Sequence, residues 1–167
     1  GKNYKAIAYI EKSLAIDLQV HGDQHPSTAK SYNNLGNVWD DKGDYDKAIE
    51  YYEKSLNIKL KVYGDQHPST AVSYTNLGHI WDVKEDYNKA IIYNEKALTI
   101  DLKVHGEQHP LIAITYNNLG DCHKGIKQYS SAKKYYKKSY NIFHSKLGEK
   151  HQHTILLAKK LKEINDQ

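Results

Sequence analysis

The motif GDQHPSTA beginning at Gly22 returns at Gly64, then as GEQHPLIA at Gly106 and GEKHQHTI at Gly148, so the chain repeats itself every 42 residues. Residues 23–64 and 65–106 agree at roughly 29 of their 42 positions, far more than shared composition would give. This feature constrains the fold more than any other. Each copy is too short to bury an apolar face on its own, so the copies must stack and share one continuous core.

Within a copy, Leu35, Val38 and Trp39 fall at helical spacing after SerTyrAsnAsn, and Ala48, Ile49, Tyr52, Leu56 and Leu60 form a second stripe. Each copy is therefore a helix pair. Pro26, Pro68 and Pro110 stand where proline is tolerated, in the first turn of the first helix, while Gly43 breaks the chain and Asp44 can cap the second. The spacing predicts helices over 26–42 and 44–62, 68–84 and 86–104, and 110–126 and 128–146. Residues 2–21 match a lone second helix and 152–165 a lone first helix, which makes eight helices in all. The domain reading is one array over 1–167: a lone helix in 1–22, repeats at 23–64, 65–106 and 107–148, and a C-terminal capping helix in 149–167. Stacked pairs of this kind curve into a ribbon whose concave wall carries function.

Composition narrows the function classes. With 39% hydrophobic and 26% charged residues the chain can fold, and its net charge of +4 comes from lysines interleaved with acids, without the continuous basic block that nucleic acid would favour. No apolar run reaches membrane-spanning length. The single cysteine, Cys122, excludes an internal disulfide framework and fits a reducing, intracellular and cytoplasmic setting. Opening at Gly1 partway through a repeat, with no methionine, the chain reads as a piece of something longer.

The stretch SYNNLGNVWDDKGDYDKAIEYYEKSLNI resembles the tetratricopeptide repeat, a unit of roughly 34 residues with Leu-Gly in its first helix, Gly-x-Tyr at the turn and two small residues in its second. Leu35, Gly36, Gly43, Tyr45, Ala48 and Ser55 fill those places. Leu77, Gly78, Tyr87, Ala90 and Ala97 follow in the next copy, and Leu119, Gly120, Tyr129, Ala132 and Ser139 in the one after. The proline that usually closes the unit is missing. About eight extra residues lengthen the second helix and its loop, as in the repeats of kinesin light chains, where His-Pro and Asn-Asn-Leu also recur. The resemblance implies an all-α, right-handed superhelical solenoid of antiparallel helix pairs that binds cargo or peptide, without making the chain a kinesin subunit.

Gly36, Gly78 and Gly120 each sit mid-helix at a cost of about 1 kcal/mol against alanine. That cost makes sense if another helix backbone approaches, with Ala48, Ala90 and Ala132 as the facing small residues. Trp39 and Trp81 continue the stripe from Leu35 and Leu77 at i+4 and are expected in the core; His123 stands in their place in the third copy, where packing is expected to be poorer.

The resemblance also implies which first-helix residues face the groove. They are Lys30, Asn33, Asn34, Asn37 and Asp40, then Val72, Thr75, Asn76, His79 and Asp82, then Ile114, Asn117, Asn118, Asp121 and Lys124. Asn34, Asn76 and Asn118 recur at every period. An amide both donates and accepts, so such a ladder can pair with the backbone of an extended peptide; it can equally bond neighbouring helices. Asp40, Asp82 and Asp121 stand against Lys30 and Lys124, and the cations that grip acidic tails in the family are mostly missing. A neutral or basic protein or peptide segment is the expected partner.

Other chemistry fits less well. His25, His67, His109 and His151 recur one repeat apart, too far to share a metal, and rings of His151 and His153 on one helix would point to different faces. Adjacent Cys122 and His123 do not face each other and lack a third orienting group. No phosphate-cradling glycine loop is present, and Tyr32, Tyr74 and Tyr116 fall at core positions rather than stacking ones. The reading is of a scaffold with no catalytic residues, no cofactor, and neither nucleic acid nor membrane as partner. The competing reading is a homo-oligomer, built by end-to-end stacking or domain swapping through the lone terminal helices; against it, Lys159, Lys160, Lys162 and Glu163 give the last helix the look of a solvated cap.

Overall fold

A computed structural model describes residues 2–165. Regular structure among them is helical throughout: α1 (Lys2–His21), α2 (Pro26–Asp41), α3 (Tyr45–Tyr63), α4 (Pro68–Val83), α5 (Tyr87–His105), α6 (Pro110–Gly125), α7 (Tyr129–Leu147) and α8 (Gln152–Asn165). All eight expected helices are present. The second helices of the complete copies begin and end one residue later than the spacing predicts, and for α3 and α5 the cause at the start is capping. Asp44 stays outside α3 and its Oδ1 accepts the Lys47 amide at 3.3 Å, as Asp86 does for Lys89. At the other end the helix runs to Tyr63, and Gly64 closes it at φ +83°, a left-handed conformation that favours glycine.

The recurring loop motif has a local structural reason. His25 Nδ1 accepts the Ser27 amide at 3.1 Å, so the histidine itself caps α2; His67, His109 and His151 cap their helices in the same way at 3.1, 3.2 and 3.3 Å. Each of the first three rings stacks on the residue four before it, His21, Tyr63 and His105. Thr28, Thr70 and Thr154 donate back to the carbonyls of Gly22, Gly64 and Gly148 at 2.7–2.9 Å. Because His151 precedes α8 instead of lying within it, its ring stacks on His153 at 5.4 Å, against the expectation that the two rings point apart.

The chain divides into two compact units, residues 1–80 and 81–167, and the division falls inside α4. In the first, α1 packs on α2 and α2 on α3, with Leu35, Ala48, Tyr52 and Leu56 buried. In the second, α5 packs on α6, α6 on α7 and α7 on α8, around Ile112, Leu119, Tyr136, Phe143 and Leu157.

Two expectations need correction. What lies against Gly36 and Gly120 is an aromatic ring, not a bare backbone faced by Ala48 or Ala132. A β-carbon on Gly36 would stand 2.5 Å from ring atoms of Tyr52, and one on Gly120 2.5 Å from those of Tyr136. The rings lie there because their hydroxyls are tethered, Tyr52 to Asn37 Oδ1 and Tyr136 to Asp121 Oδ1, both at 2.8 Å. Trp39, expected in the core, is half-buried, with Lys42 and Lys47 Nζ 4.0 and 3.9 Å from the ring centroid; Lys89 sits 3.7 Å from that of Trp81. Lysine stems cover these indoles and put their charges against the ring faces. His123 uses its own contacts instead, stacking on Tyr135 and placing Nδ1 2.9 Å from Gln128 Oε1.

Candidate functional site

In the first unit the groove positions lie on α2 (Lys30, Asn33, Asn34, Asn37, Asp40) and α4 (Val72, Thr75, Asn76, His79). In the second they lie on α6 (Ile114, Asn117, Asn118, Asp121, Lys124), with Asp82 near the end of α4. Lys30, Asn37, Val72, His79 and Ile114 are exposed, and the others are half-buried.

Side chains at these positions meet from one first helix to the next. Asn76 Nδ2 donates to Asn33 Oδ1 at 3.1 Å, and His79 Nε2 lies 3.8 Å from Asp40 Oδ2. Burial raises the Asp40 carboxyl above its ordinary range, with His79 acting against the rise and Asp41 adding to it. In the second unit the counterparts come from α8. Lys160 Nζ donates to Asn117 Oδ1 at 2.9 Å and to both oxygens of Asp121 at 2.6 and 2.7 Å, while Lys124 Nζ lies 3.7 Å from Glu163. The presumed solvated cap thus reaches the groove residues. Counting by the 42-residue period, Lys160 stands where Asn34, Asn76 and Asn118 stand, a signal the sequence already held.

The asparagines are accordingly not a row of equivalent free amides. Asn76 spends a donor on Asn33, and Asn117 donates to Asp121 Oδ2 at 3.1 Å and to Asn118 Oδ1 at 3.5 Å. Asn34 makes no side-chain hydrogen bond among the described residues. Thr75 turns its hydroxyl back to the Ala71 carbonyl of its own helix at 3.1 Å. Cys122 is buried and its Sγ lies 3.4 Å from Asp82 Oδ1; burial, then the Asp82 charge, push the thiol far above its usual range, so it is not poised as a nucleophile.

Beside these positions the first unit opens a cleft of about 400 Å³ between α2, α3 and α4, lined among others by Lys30, Asn33, Lys59, Tyr63, Ser69 and Val72. The second unit has a cleft of about 260 Å³ at the same register, lined by Ile114, Asn117, Phe143, His153, Leu156 and Leu157. Groove reasoning confined to first helices missed Lys59, Tyr63 and Phe143, which second helices supply. Among the described residues no group of three or more His, Cys, Asp or Glu side chains could hold a metal, and no helix is long and apolar enough to cross a membrane.

The tetratricopeptide repeat profile matches residues 1–61, 41–81 and 83–145, and the chain belongs to the tetratricopeptide repeat family. Within it the chain resembles the repeats of kinesin light chains. A Podosopora anserina protein of nearly identical TPR-like repeats, assigned to the kinesin light chains, shares 20% identity at a TM-score of 0.85, covering 99% of this chain and 79% of that one. BtubC from P. vanneervenii shares 22% at 0.81, over 99% and 74%. The N-terminal domain of stress-induced protein-1 from C. elegans shares 21% at 0.65, over 84% and 96%. At these identities the likeness is one of fold. No curated protein matches the sequence. Repeats of this family in general mediate protein–protein interaction and are scaffolds rather than enzymes.

Proposed function

We propose that the chain holds an extended segment of a partner protein against its first-helix faces, with Asn34, Asn76 and Asn118 meeting the segment's backbone. The observation that carries this reading is the contact between successive first helices. Asn76 and Asn33 stand 3.1 Å apart and border an open cleft with Lys30 and Val72, so one strand of peptide can meet amides and a cavity together. Asp40 favours a neutral or basic segment over an acidic C-terminal tail; Asp121 adds less, because Lys160 already pairs with it. No cofactor, nucleic acid or membrane enters this reading, and the buried thiol of Cys122 suits a reducing cytoplasm.

The test is a pool of short unstructured peptides varied in charge, titrated against the parent and against Asn34→Ala/Asn76→Ala/Asn118→Ala, with melting curves to separate binding from folding. Binding by the parent and its loss in a folded variant are expected. Equal binding by both would sink the role of these amides.

A second reading, self-association, rests on α1, where Tyr9, Ile16 and Val20 are 72%, 61% and 65% exposed. Against pairing with α8 of another copy stands Lys162, which by register takes the place of Gly36 and Gly120, where only a hydrogen leaves room for a ring. Light-scattering mass that grows with concentration would favour assembly, and a constant monomer mass would remove it.

A further inference from the structure

Lys59 lies on α3, outside the groove positions, and its role is not explained by the fold. Its side chain is 9% exposed yet lines the cleft between α2, α3 and α4. Its Nζ donates to Ser73 Oγ at 2.8 Å, which uses one of the three N–H donors of an ammonium. Burial lowers its pKa, and no neighbouring carboxylate acts against that. An ammonium taken out of water without a counter-charge is costly, and no carboxylate is among the residues that line the cleft with it or accept its hydrogen bond. Nor does the repeat require a lysine: Asp17, Asp101 and Phe143 hold the same register in the other copies.

We propose that this cleft is a carboxylate site, in which one Asp or Glu side chain of the partner segment enters between α2, α3 and α4 and pairs with Lys59, while Lys30 at the exposed rim adds a second cation. A cleft of about 400 Å³ has room for a carboxylate and its stem. The corresponding cleft of the second unit replaces Lys30, Lys59 and Val72 by Ile114, Phe143 and Leu156, so no lysine lines it and the preference belongs to the first unit. The site rests on the peptide-holding role and refines it: the segment is neutral or basic except for one acidic anchor.

The experiment uses the whole chain and a pool of short unstructured peptides, with each retained sequence remade with every Asp or Glu changed singly to Asn or Gln. Retained peptides are expected to carry an acid at one fixed position, and its amide version should bind about tenfold more weakly or worse. Lys59→Met should bind acid and amide versions alike while melting no lower than the parent, since the substitution removes a buried charge. If acid and amide versions bind the parent equally, the carboxylate site is overturned and the groove stands. If no peptide is retained, both readings fall. The acid-against-amide comparison on the parent needs no variant to fold.

Discussion

The ring of Tyr52 fills the space that a side chain at Gly36 would take, with Cδ1 only 2.5 Å from where a β-carbon would stand. Tyr52 is 3% exposed and its hydroxyl is tethered to Asn37, so the ring cannot swing aside without breaking that bond. Gly36→Ala should therefore lower stability although alanine is the better helix former. The propensity gain of about 1 kcal/mol is smaller than an overpacking cost of about 1–3 kcal/mol, leaving a net loss on the order of 1 kcal/mol in denaturant melts. In a Tyr52→Leu background the same substitution should cost less, because the two sites share one volume. A Gly36→Ala protein as stable as its parent would show that the ring yields freely.

The turn between the helices of each copy keeps one conformation with three different residues. Gly43, Glu85 and Lys127 have φ of +75°, +60° and +61°, and their amides donate to the carbonyls of Asp40, Asp82 and Lys124 at 2.8–2.9 Å. A side chain in this left-handed region is strained, by about 1–2 kcal/mol, and glycine is not. Glu85→Gly and Lys127→Gly should each raise stability by about 0.5–1 kcal/mol, less than the full strain because glycine also loosens the unfolded chain. Gly43→Ala should do the reverse. Thermal melts of the three single variants check the set, and a fall in melting temperature for both glycine substitutions would defeat it.

Helix number, pairing and boundaries were legible because proline, aspartate and glycine act locally, each on the turn that contains it. His25 and Asp44 fix the starts of α2 and α3 by accepting amides two and three residues on, with Pro26 supplying a ready-made first-turn φ, and a period of 42 then copies the arrangement. What stayed hidden depends on contacts between elements far apart in sequence. That Gly36 receives the Tyr52 ring depends on the Asn37 tether across the pair, and that Lys160 reaches Asp121 depends on α8 lying beside α6's face. The repetition of asparagine was visible, but its meaning was not: Asn76 spends its amide on Asn33, whereas Asn34 keeps its own. Lys59 escaped because its register holds aspartate in two copies and phenylalanine in a third, which looks like drift until the cleft beside it is seen.

Asp101 on α5 is 5% exposed, and burial raises its carboxyl above the ordinary value, with His105 and His109 acting against the rise. A carboxyl raised in this way holds its proton more tightly in the fold than in the unfolded chain. Its contribution to stability is full below the ordinary value of 3.8 and is lost as pH rises through the folded value. At neutral pH the group is a buried charge that costs stability. Asp101→Asn should accordingly melt higher than the parent at neutral pH, and that advantage should shrink as the solution is acidified toward 3.8. Paired melts across pH measure it; an advantage that stays constant, or a parent that melts higher at neutral pH, would count against the buried-charge account.

Lys160 and Asp121 give a prediction that separates structure from function in the second unit. Their side chains are 19% and 34% exposed, so the ion pair is partly screened, and its one-sided loss in Lys160→Met should cost on the order of 1–2 kcal/mol. Asp121 then keeps only the Tyr136 hydroxyl and the Asn117 amide, and its charge becomes available to an incoming segment. If the α6 face holds a neutral or basic peptide as proposed, the variant should bind lysine-containing peptides more tightly than the parent does, even though it is less stable. Adding Asp121→Asn should cancel that gain, since no charge is left to meet the lysine. A variant that loses stability and gains no affinity would mean that Asp121 serves only to hold α8 in place.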